Sequence, residues 1–423
     1  MIKVDLILAR LLVGLVLASI GWGSEANAQL KLSEAVTEAV EKNPEIRLLK
    51  QRLEAVSARS KQAPYLEDPE INFQLGGVPL SNPTSFNKSD TNSIGIRQKL
   101  PFFGKLGLKE KIAQQEVRVA EQELRTKERE IVSMVKMAYA DLFMAQKTSE
   151  ILREQLEIMR TVIRATEARY QVGRVTQQDV FKALLEQSEI MNQLINVEAE
   201  SNAAQAKLNS AMYRPPQAAV HLPADLPATR ADLNLPILDD LALTNRPELK
   251  GAEEEIVRSE RMYELAERNR KFPDFMVGWD YMRMPTDMKK DRYGAMVNIT
   301  IPFSPWTIGR RNYEVEESLA EIRAAKTNRD AMRNMTLREV AESQAKAQGA
   351  RRSIALFNEG LLTQAELSFR SAMAAYQTGR VEFVSLLEAQ RALREARMGY
   401  YKATVGLIQN LADLERIVGK DLQ

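Results

Sequence analysis

The sequence predicts a mainly α-helical chain with a small β part, in which one unit of roughly 200 residues is duplicated. The strongest sign is the sequence Tyr-Gln-Val-Gly-Arg-Val at 170–175, which recurs at 376–381 as Tyr-Gln-Thr-Gly-Arg-Val, an offset of 206 residues. Two further pairs repeat in the same order: Asn-Pro-Glu at 43–45 with Asn-Arg-Pro-Glu at 245–248, and Leu-Pro-Phe at 100–102 with Ile-Pro-Phe at 301–303. Each unit is expected to hold a β-hairpin and a long antiparallel helical hairpin.

Composition excludes several classes of function. The 423 residues contain 59 Lys and Arg against 57 Asp and Glu, so the net charge of +2 argues against a binder of nucleic acids or other polyanions. The chain has no cysteine and a single histidine, His221, which excludes most zinc, copper and nucleophile–histidine sites within one chain. We therefore expect no catalytic residues, no cofactor, no built metal site and no enzymatic activity.

Residues 1–28 have the pattern of an export signal. Lys3 and Arg10 flank the start, an apolar run extends from Leu11 to Ile20, and Ala26-Asn27-Ala28 forms a cleavage motif before Gln29. The alternative is a membrane anchor, but the run is too short to span a bilayer. Since no later segment reaches 18 apolar residues, any membrane-embedded part of the chain is expected to consist of strands.

The first repeat is expected to occupy residues 29–212. Helical periodicity from Leu30 to about Ala63 is interrupted by Pro44, which predicts two short helices. Period-two alternation then predicts a β-hairpin over about 68–102. A helical hairpin follows over about 104–212: a helix of about 66 residues, roughly 100 Å long, with a coiled-coil seam, a turn at Gly173, and a return helix from Gln177 to Met212.

The second repeat, 240–423, follows a Pro-rich linker at 213–239 and has the same order of elements. We predict one helix from about Leu238 to Arg270 and a β-hairpin over about 273–303. A helical hairpin is predicted over about 310–418, with a long helix from Arg310 to Gln377 and a turn at Gly379.

The four predicted strands each have one apolar and one polar face, and their length of about ten residues is typical of strands that cross a bilayer. The alternative is a pair of ordinary amphipathic hairpins on a soluble core. Export, strand length and the long flanking helices favour the membrane. The polar faces suit a water-filled lumen and carry Arg97, Lys99, Asp280, Asn298 and Thr300.

Four strands cannot close a barrel, and an open sheet edge is not tolerated in lipid. Copies of the chain must therefore associate around an axis. Three chains would supply a 12-strand β-barrel, and their helical hairpins would form a trimeric α-barrel of twelve helices.

The duplicated plan and the paired Tyr-x-x-Gly turns resemble the TolC-like family of outer-membrane factors, over about Leu30 to Gly419. The run from Leu100 to Lys105 is similar to a signature of the heavy-metal-resistance branch, with Phe103 where a proline is usual. The resemblance implies a homotrimeric exit duct in the outer membrane of a Gram-negative bacterium, with a long periplasmic helical domain. It also implies two partners, a periplasmic adaptor and an inner-membrane efflux pump.

By the same resemblance, the two glycine turns lie at the periplasmic tip, where adaptor hairpins dock. The matching residues are Val172, Gly173 and Arg174 in the first turn and Thr378, Gly379 and Arg380 in the second. Glycine adopts positive φ and lets another backbone approach closely. The alternative is that both are plain helix–helix turns without a partner.

Family members also narrow the tip with acidic rings after the second turn. Glu388 matches one acidic position, Ser385 stands at the other, and Glu382 is a candidate substitute for the missing ring. Three like charges around an axis would favour cations and oppose closure. The alternative reading, that these are solvated helix charges, stays open.

Five methionines cluster on the second hairpin and its loop: Met276, Met282, Met284, Met288 and Met296. Thioethers suit Cu(I), but methionine is also a common filler of gaps. The sequence leaves this choice open.

The function implied is a passive conduit of a tripartite efflux or secretion system. The alternative is a periplasmic coiled-coil adaptor, although no lipoyl-type half-motif is present. The exported substrate is not indicated.

Overall fold

The computed structural model describes residues 29–78, 80, 89–226, 231–284 and 291–422. The expected export signal, Met288, and parts of both hairpin loops and of the linker lie outside the described residues. No helix in the described part of the chain is long and apolar enough to cross a membrane.

The first repeat contains the expected elements in the expected order. Helices α1 (Leu32–Lys42) and α2 (Pro44–Gln62) are separated at Asn43, whose side chain caps α2 by accepting from the Glu45 N–H. Strands β1 (Glu70–Gly76) and β2 (Thr91–Leu100) form the first hairpin. Helix α3 (Lys105–Gln171) has 67 residues, which makes it about 100 Å long, and α4 (Gln177–Ala211) runs back beside it.

The second repeat departs from prediction at two places. The single helix predicted from Leu238 is wrong, because two helices are present: α5 (Leu235–Asn245) and α6 (Pro247–Lys271). Pro247 lacks an N–H and forces the preceding residue out of the helical region, so Arg246 has ψ 119°. The break therefore repeats the one at Pro44. Strands β3 (Asp274–Arg283) and β4 (Arg292–Thr300) follow.

The second long helix is also interrupted. Helix α7 (Ile308–Leu356) passes into a π turn at Phe357–Leu361 before α8 (Leu362–Gln377) and the return helix α9 (Phe383–Val418). The ring of Phe357 lies over Gly399, where a Cβ would be 2.6 Å from a ring atom. A π turn inserts a residue and rotates the positions after it by about 100°. Helical periodicity does not reveal such an insertion.

The four strands form one antiparallel sheet in the order β1-β2-β3-β4. Strands β2 and β3 pair across the two repeats, with Gly95 opposite Asp280 and Ile96 opposite Trp279. Within the chain, β1 and β4 are the edges of the sheet.

The long helices lie in a row. Toward the two glycine turns the order is α4, α3, α9, α8, since α3 packs against both α4 and α9, and α9 also packs against α8. Buried apolar residues fill the row along its length, and many are alanines that let neighbouring helices approach closely. The hydroxyl of the buried Tyr139 on α3 donates to the carbonyl of Leu30, and burial raises the pKa of Tyr139 to about 12.

Candidate functional site

The sheet has two chemically different faces. The apolar face is exposed in the single chain: Ile71 on β1 is 75 % exposed and Tyr293 on β4 is 69 % exposed. Trp279 stacks on Tyr293 with ring centroids 5.4 Å apart, and Tyr281 lies beside them. Exposed apolar side chains on all four strands require a covering other than this chain's own helices.

The opposite face is polar, and the register places on it all five residues predicted to line a lumen. Arg97 stands opposite Gly278, Lys99 opposite Met276, and Met276 opposite Asn298. Lys99 also pairs with Glu67, with 3.1 Å between Nζ and Oε2. The remaining members of the predicted set are Asp280 on β3 and Thr300 on the edge strand β4.

A polar bridge crosses this face over Gly95. The Nδ2 of Asn72 on β1 donates to Oδ1 of Asp280 on β3 over 3.1 Å, passing above the intervening strand. A Cβ at Gly95 would lie 1.9 Å from that Asp280 oxygen and 2.8 Å from Oδ1 of Asn72. The glycine is therefore required by contact between neighbours, since its φ is not in the left-handed region. Sequence reasoning did not anticipate this bridge.

Three of the clustered methionines lie on the polar face. The methyl carbon of Met282 would be 3.1 Å from a Cβ at Gly294, and that of Met296 would be 3.2 Å from a Cβ at Gly278. Each of these two side chains thus lies flat over a glycine of the adjacent strand, which is the gap-filling use of methionine. Within the described residues, no three His, Asp or Glu side chains form a group that could hold a metal ion.

The junction between sheet and helices is built on Lys105, the first residue of α3. Its buried ammonium donates to Oδ1 of Asp274 over 2.8 Å and to the carbonyl of Phe272 over 3.0 Å. Asp274 also accepts from the N–H of Phe102, whose ring stacks on Phe272 at 4.5 Å. The run from Leu100 to Lys105 therefore joins the second hairpin to the first long helix.

At the other end of the row, both glycine turns have the same geometry. Gly173 has φ 71° and Gly379 has φ 79°, the left-handed conformation that ends a helix without strain when the residue is glycine. The N–H of Arg174 reaches back to the carbonyl of Arg169, and the N–H of Arg380 to that of Ala375. The six residues predicted to dock a partner are all exposed: Val172, Gly173, Arg174, Thr378, Gly379 and Arg380.

The two tyrosines that precede these turns differ. Tyr376 is 1 % exposed, because its ring is covered by the guanidinium of Arg169 at 4.6 Å and its hydroxyl lies 2.8 Å from Oγ1 of Thr166. Arg169 also donates to the carbonyl of Tyr376 over 2.5 Å. Tyr170, its counterpart in the first repeat, is 45 % exposed. The repeated sequence gave no sign of this difference.

The three predicted gate residues follow the second turn: Glu382 immediately precedes α9, and Ser385 and Glu388 lie in its first two turns. Glu382, Ser385 and Glu388 are exposed, whereas the residue that follows each of them (Phe383, Leu386 and Ala389) is buried. None of the three takes part in an ion pair within the described part of the chain. One turn farther, Glu186 on α4 is buried between Arg391 and Arg394 of α9, with 3.1 Å to Nη1 of Arg394.

Comparisons with known proteins agree on one family. The sequence profile described as outer membrane efflux protein matches residues 35–212 and 238–420. The cobalt-zinc-cadmium resistance protein CzcC of Cupriavidus metallidurans is 23 % identical over 400 residues, covering 94 % of this chain and 91 % of that protein.

Solved structures share the fold. The outer-membrane channel OprN gives a TM-score of 0.78 at 18 % identity, covering 92 % of this chain and 89 % of that one. VceC of Vibrio cholerae gives 0.77 at 17 % identity, covering 93 % and 97 %. CusC, described in terms of transmembrane channel formation, gives 0.76 at 17 % identity, covering 94 % and 96 %.

Proposed function

Because this chain belongs to the outer membrane efflux protein family, we propose that the polar face of its sheet and its two glycine turns are the working surfaces of a passive exit duct. The protein is the outer-membrane channel of a tripartite efflux system, a homotrimer that works with a periplasmic adaptor and an inner-membrane pump. The alternative of a periplasmic adaptor is not favoured. The division into repeats at 29–212 and 240–423 is part of the proposal, and the two matched segments support it.

The two-faced sheet with unpaired edges is the observation that carries the proposal. An exposed edge inside a bilayer leaves backbone donors and acceptors without partners, so β1 of one copy pairs with β4 of the next. The exposed apolar face then meets lipid. The polar face, with Arg97, Lys99, Asp280, Asn298 and Thr300, lines the water-filled interior.

We assign no chemistry to the duct. The duct provides a water-filled path across the outer membrane. This path lowers the free-energy barrier for a polar solute, because transfer of an ion into hydrocarbon has a very large free-energy cost. A passive role is supported by the polar lining, in which Asp280 is already engaged by Asn72 and Lys99 by Glu67.

Divalent metal cations are the proposed substrates. Support comes from the relative named for resistance to cobalt, zinc and cadmium, which aligns over almost the whole of both chains. The exposed carboxylates of Glu382 and Glu388 would attract cations at the entrance, while the absence of a built metal group among the described residues suits passage of hydrated ions.

The tip is the proposed docking surface for the adaptor. Among the described residues, no atom apart from those of Gly173 and its two chain neighbours lies within 4 Å of a Cβ built at Gly173, so a side chain there would project into open space. At Gly379 the nearest contact is Nη2 of Arg169 at 3.3 Å. A bulky side chain at Gly173 would thus obstruct an approaching partner, while its cost to the fold is the strain of positive φ, about 1–2 kcal/mol, that a residue such as alanine also incurs there.

Complementation of a deletion strain tests both the proposed substrates and the proposed docking surface. A strain lacking the gene should lose resistance to Co²⁺, Zn²⁺ and Cd²⁺ and regain it with the intact gene; unchanged resistance would reject these substrates. Gly173→Trp should leave trimers in the outer membrane but fail to restore resistance. Gly173→Ala is the matched control, since alanine brings the strain of a Cβ at positive φ without the bulk. Full resistance with Gly173→Trp would reject docking at this turn.

A further inference from the structure

A cavity lies directly below the sheet, where four helices end or begin. Its volume is about 640 Å³, which is within the range of sites for small organic ligands. The end of α2, the beginning of α3, the last turns of α6 and the beginning of α7 contribute to its lining. We call this space the junction cavity.

The junction cavity opens on the concave side of a row of helices. Near the sheet the order of the row is α2, α3, α6, α7, since α3 packs against both α2 and α6, and α6 also packs against α7. A single cavity that is lined by both end members of a row lies on the side toward which the row curves. In the closed tube of the homotrimer that side encloses the lumen, so a solute reaches the cavity from the water-filled path.

The floor of the junction cavity is apolar. It is formed by one pair of residues on α3 and three on α6: Ile112, Ala113, Met262, Leu265 and Ala266. Ala113 is buried and the other four are half-buried. A hydrated metal ion gains nothing from such a surface, whereas an aliphatic body is stabilised by about 25 cal/mol for each Å² removed from water.

The walls of the cavity carry opposite charges. Arg59 on α2 and Lys109 on α3 line one side, and Glu317 and Glu321 on α7 line the other. All four residues are exposed, and in the part of the chain that the structure describes none of their side chains takes part in an ion pair or hydrogen bond.

The other charged side chains of the lining have partners. Nη1 of Arg258 lies 3.6 Å from Oε1 of Glu116, and its Nη2 lies 2.6 Å from Oε1 of Glu255. Glu314 pairs with Arg311, with 2.7 Å between Oε2 and Nη1. The unpaired charges are therefore confined to the two walls, with the apolar floor between them.

We propose that the junction cavity binds elongated zwitterionic amphiphiles, molecules with an anionic group at one end, a cationic group at the other and an apolar body between. The anionic group pairs with Arg59 and Lys109, the cationic group pairs with Glu317 and Glu321, and the body lies on the floor. Because α6 separates α3 from α7, their axes are about 16–20 Å apart, and only an extended molecule contacts both walls.

Blockade of single channels tests this site with three matched chains. At pH 7 ω-aminooctanoate carries both charges, octylamine only the cation and octanoate only the anion, on the same aliphatic body. Each compound is added from the sheet side to channels in planar bilayers. The zwitterion should reside about fivefold longer than either singly charged chain, the factor expected for one partly exposed ion pair. Equal residence times for the three compounds would reject the proposal.

Two double variants assign the charges to the walls. Glu317→Gln with Glu321→Gln should shorten the residence of the zwitterion to that of octanoate. Arg59→Gln with Lys109→Gln should shorten it to that of octylamine. If both double variants keep the parental residence time, the junction cavity is not the binding site.

The matched control is Lys111→Gln with Glu316→Gln. Both residues are exposed on α3 and α7, close in sequence to Lys109 and Glu317, but neither lines the cavity. The control should keep the parental residence time, and a shortened one would show that overall charge, not the cavity, sets the blockade. The yield of SDS-resistant trimer verifies that each variant assembles.

The inference rests on the proposed duct and not on its metal substrates. Absence of blockade in channels that conduct, with intact metal resistance, would reject the cavity alone. Failure of the parent to form channels in the bilayer would instead reject the duct.

Discussion

The hydroxyl of Tyr376 lies 2.8 Å from Oγ1 of Thr166, although 210 positions separate the two residues. Thr166 itself donates to the carbonyl of Val162, so its hydroxyl is left to accept from the tyrosine. With Arg169 over the ring, this contact joins the turn at Gly173 to the turn at Gly379. The contact therefore fixes the two turns relative to each other, and together they form one surface.

Removal of the Tyr376 hydroxyl should destabilise the tip. Tyr376→Phe leaves the buried Thr166 oxygen without its donor, and we expect a loss of about 1 kcal/mol in the free energy of unfolding. The loss of stability is measured as a lower thermal midpoint of detergent-solubilised trimers, compared with the parent at one scan rate. Tyr170→Phe is the matched control and should leave the midpoint unchanged, because the Tyr170 side chain is 45 % exposed. Equal midpoints for the two variants would contradict the role of the hydroxyl.

Gly95→Ala should damage the sheet. The new methyl group would lie 1.9 Å from the Asp280 carboxylate, so the bridge to Asn72 must break or the strands must separate. Overpacking of this kind costs about 1–3 kcal/mol, and we expect a reduced yield of SDS-resistant trimer in outer-membrane fractions. Gly76→Ala, in β1 with its nearest neighbour at 3.8 Å, should assemble normally. Normal trimer yield for Gly95→Ala would show that the bridge is dispensable.

Acid should weaken the attachment of α1 to the segment that follows α4. The Arg214 guanidinium makes two hydrogen bonds to the Glu38 carboxylate, at 3.0 and 2.5 Å, and lowers the pKa of Glu38 below its ordinary value of 4.5. A carboxylate whose pKa is lowered by folding contributes stability above its unfolded pKa, and that contribution disappears as the pH falls through the folded pKa. Stability should therefore decline below about pH 4.5.

Glu38→Gln checks the acid sensitivity directly. The variant should be less stable than the parent at pH 7 and should lose less stability on acidification, measured as the thermal midpoint between pH 7 and pH 3. Glu41→Gln, which alters an exposed residue of the same helix, serves as the control. Parallel pH profiles for parent and Glu38→Gln would assign the acid sensitivity to other groups.

Glu388→Gln should reduce cation selectivity. In a trimer, the substitution removes three exposed carboxylates that the proposal places near the axis at the tip. The reversal potential of single channels in a KCl gradient should move toward zero. Glu359→Gln, an exposed carboxylate in the π turn, should leave the potential unchanged. If Glu388→Gln has the parental reversal potential, Glu388 does not line the entrance.

Much of the site followed from local pattern. Alternation placed Arg97, Lys99 and Asp280 on one face of strands, because successive side chains of a strand point to opposite faces. Prolines marked the break at Pro44, and the same rule applied to Pro247 would have found the break that was missed. The bridge over Gly95 and the π turn at Phe357 carry no such local sign, since each depends on a neighbour distant in sequence.

By itself the sequence determined the duplicated plan, the element types, the two-faced strands and the positive-φ turns. Each of these follows from the periodicity of apolar residues or from the backbone preference of a single residue type. Only the tertiary structure decided that β2 joins β3 and that Tyr376 is buried while Tyr170 is exposed. The two tyrosines have nearly identical local sequences. Tyr376 reaches past α9 to α3, whereas Tyr170 lies toward the free end of the row, where the described part of the chain leaves it 45 % exposed.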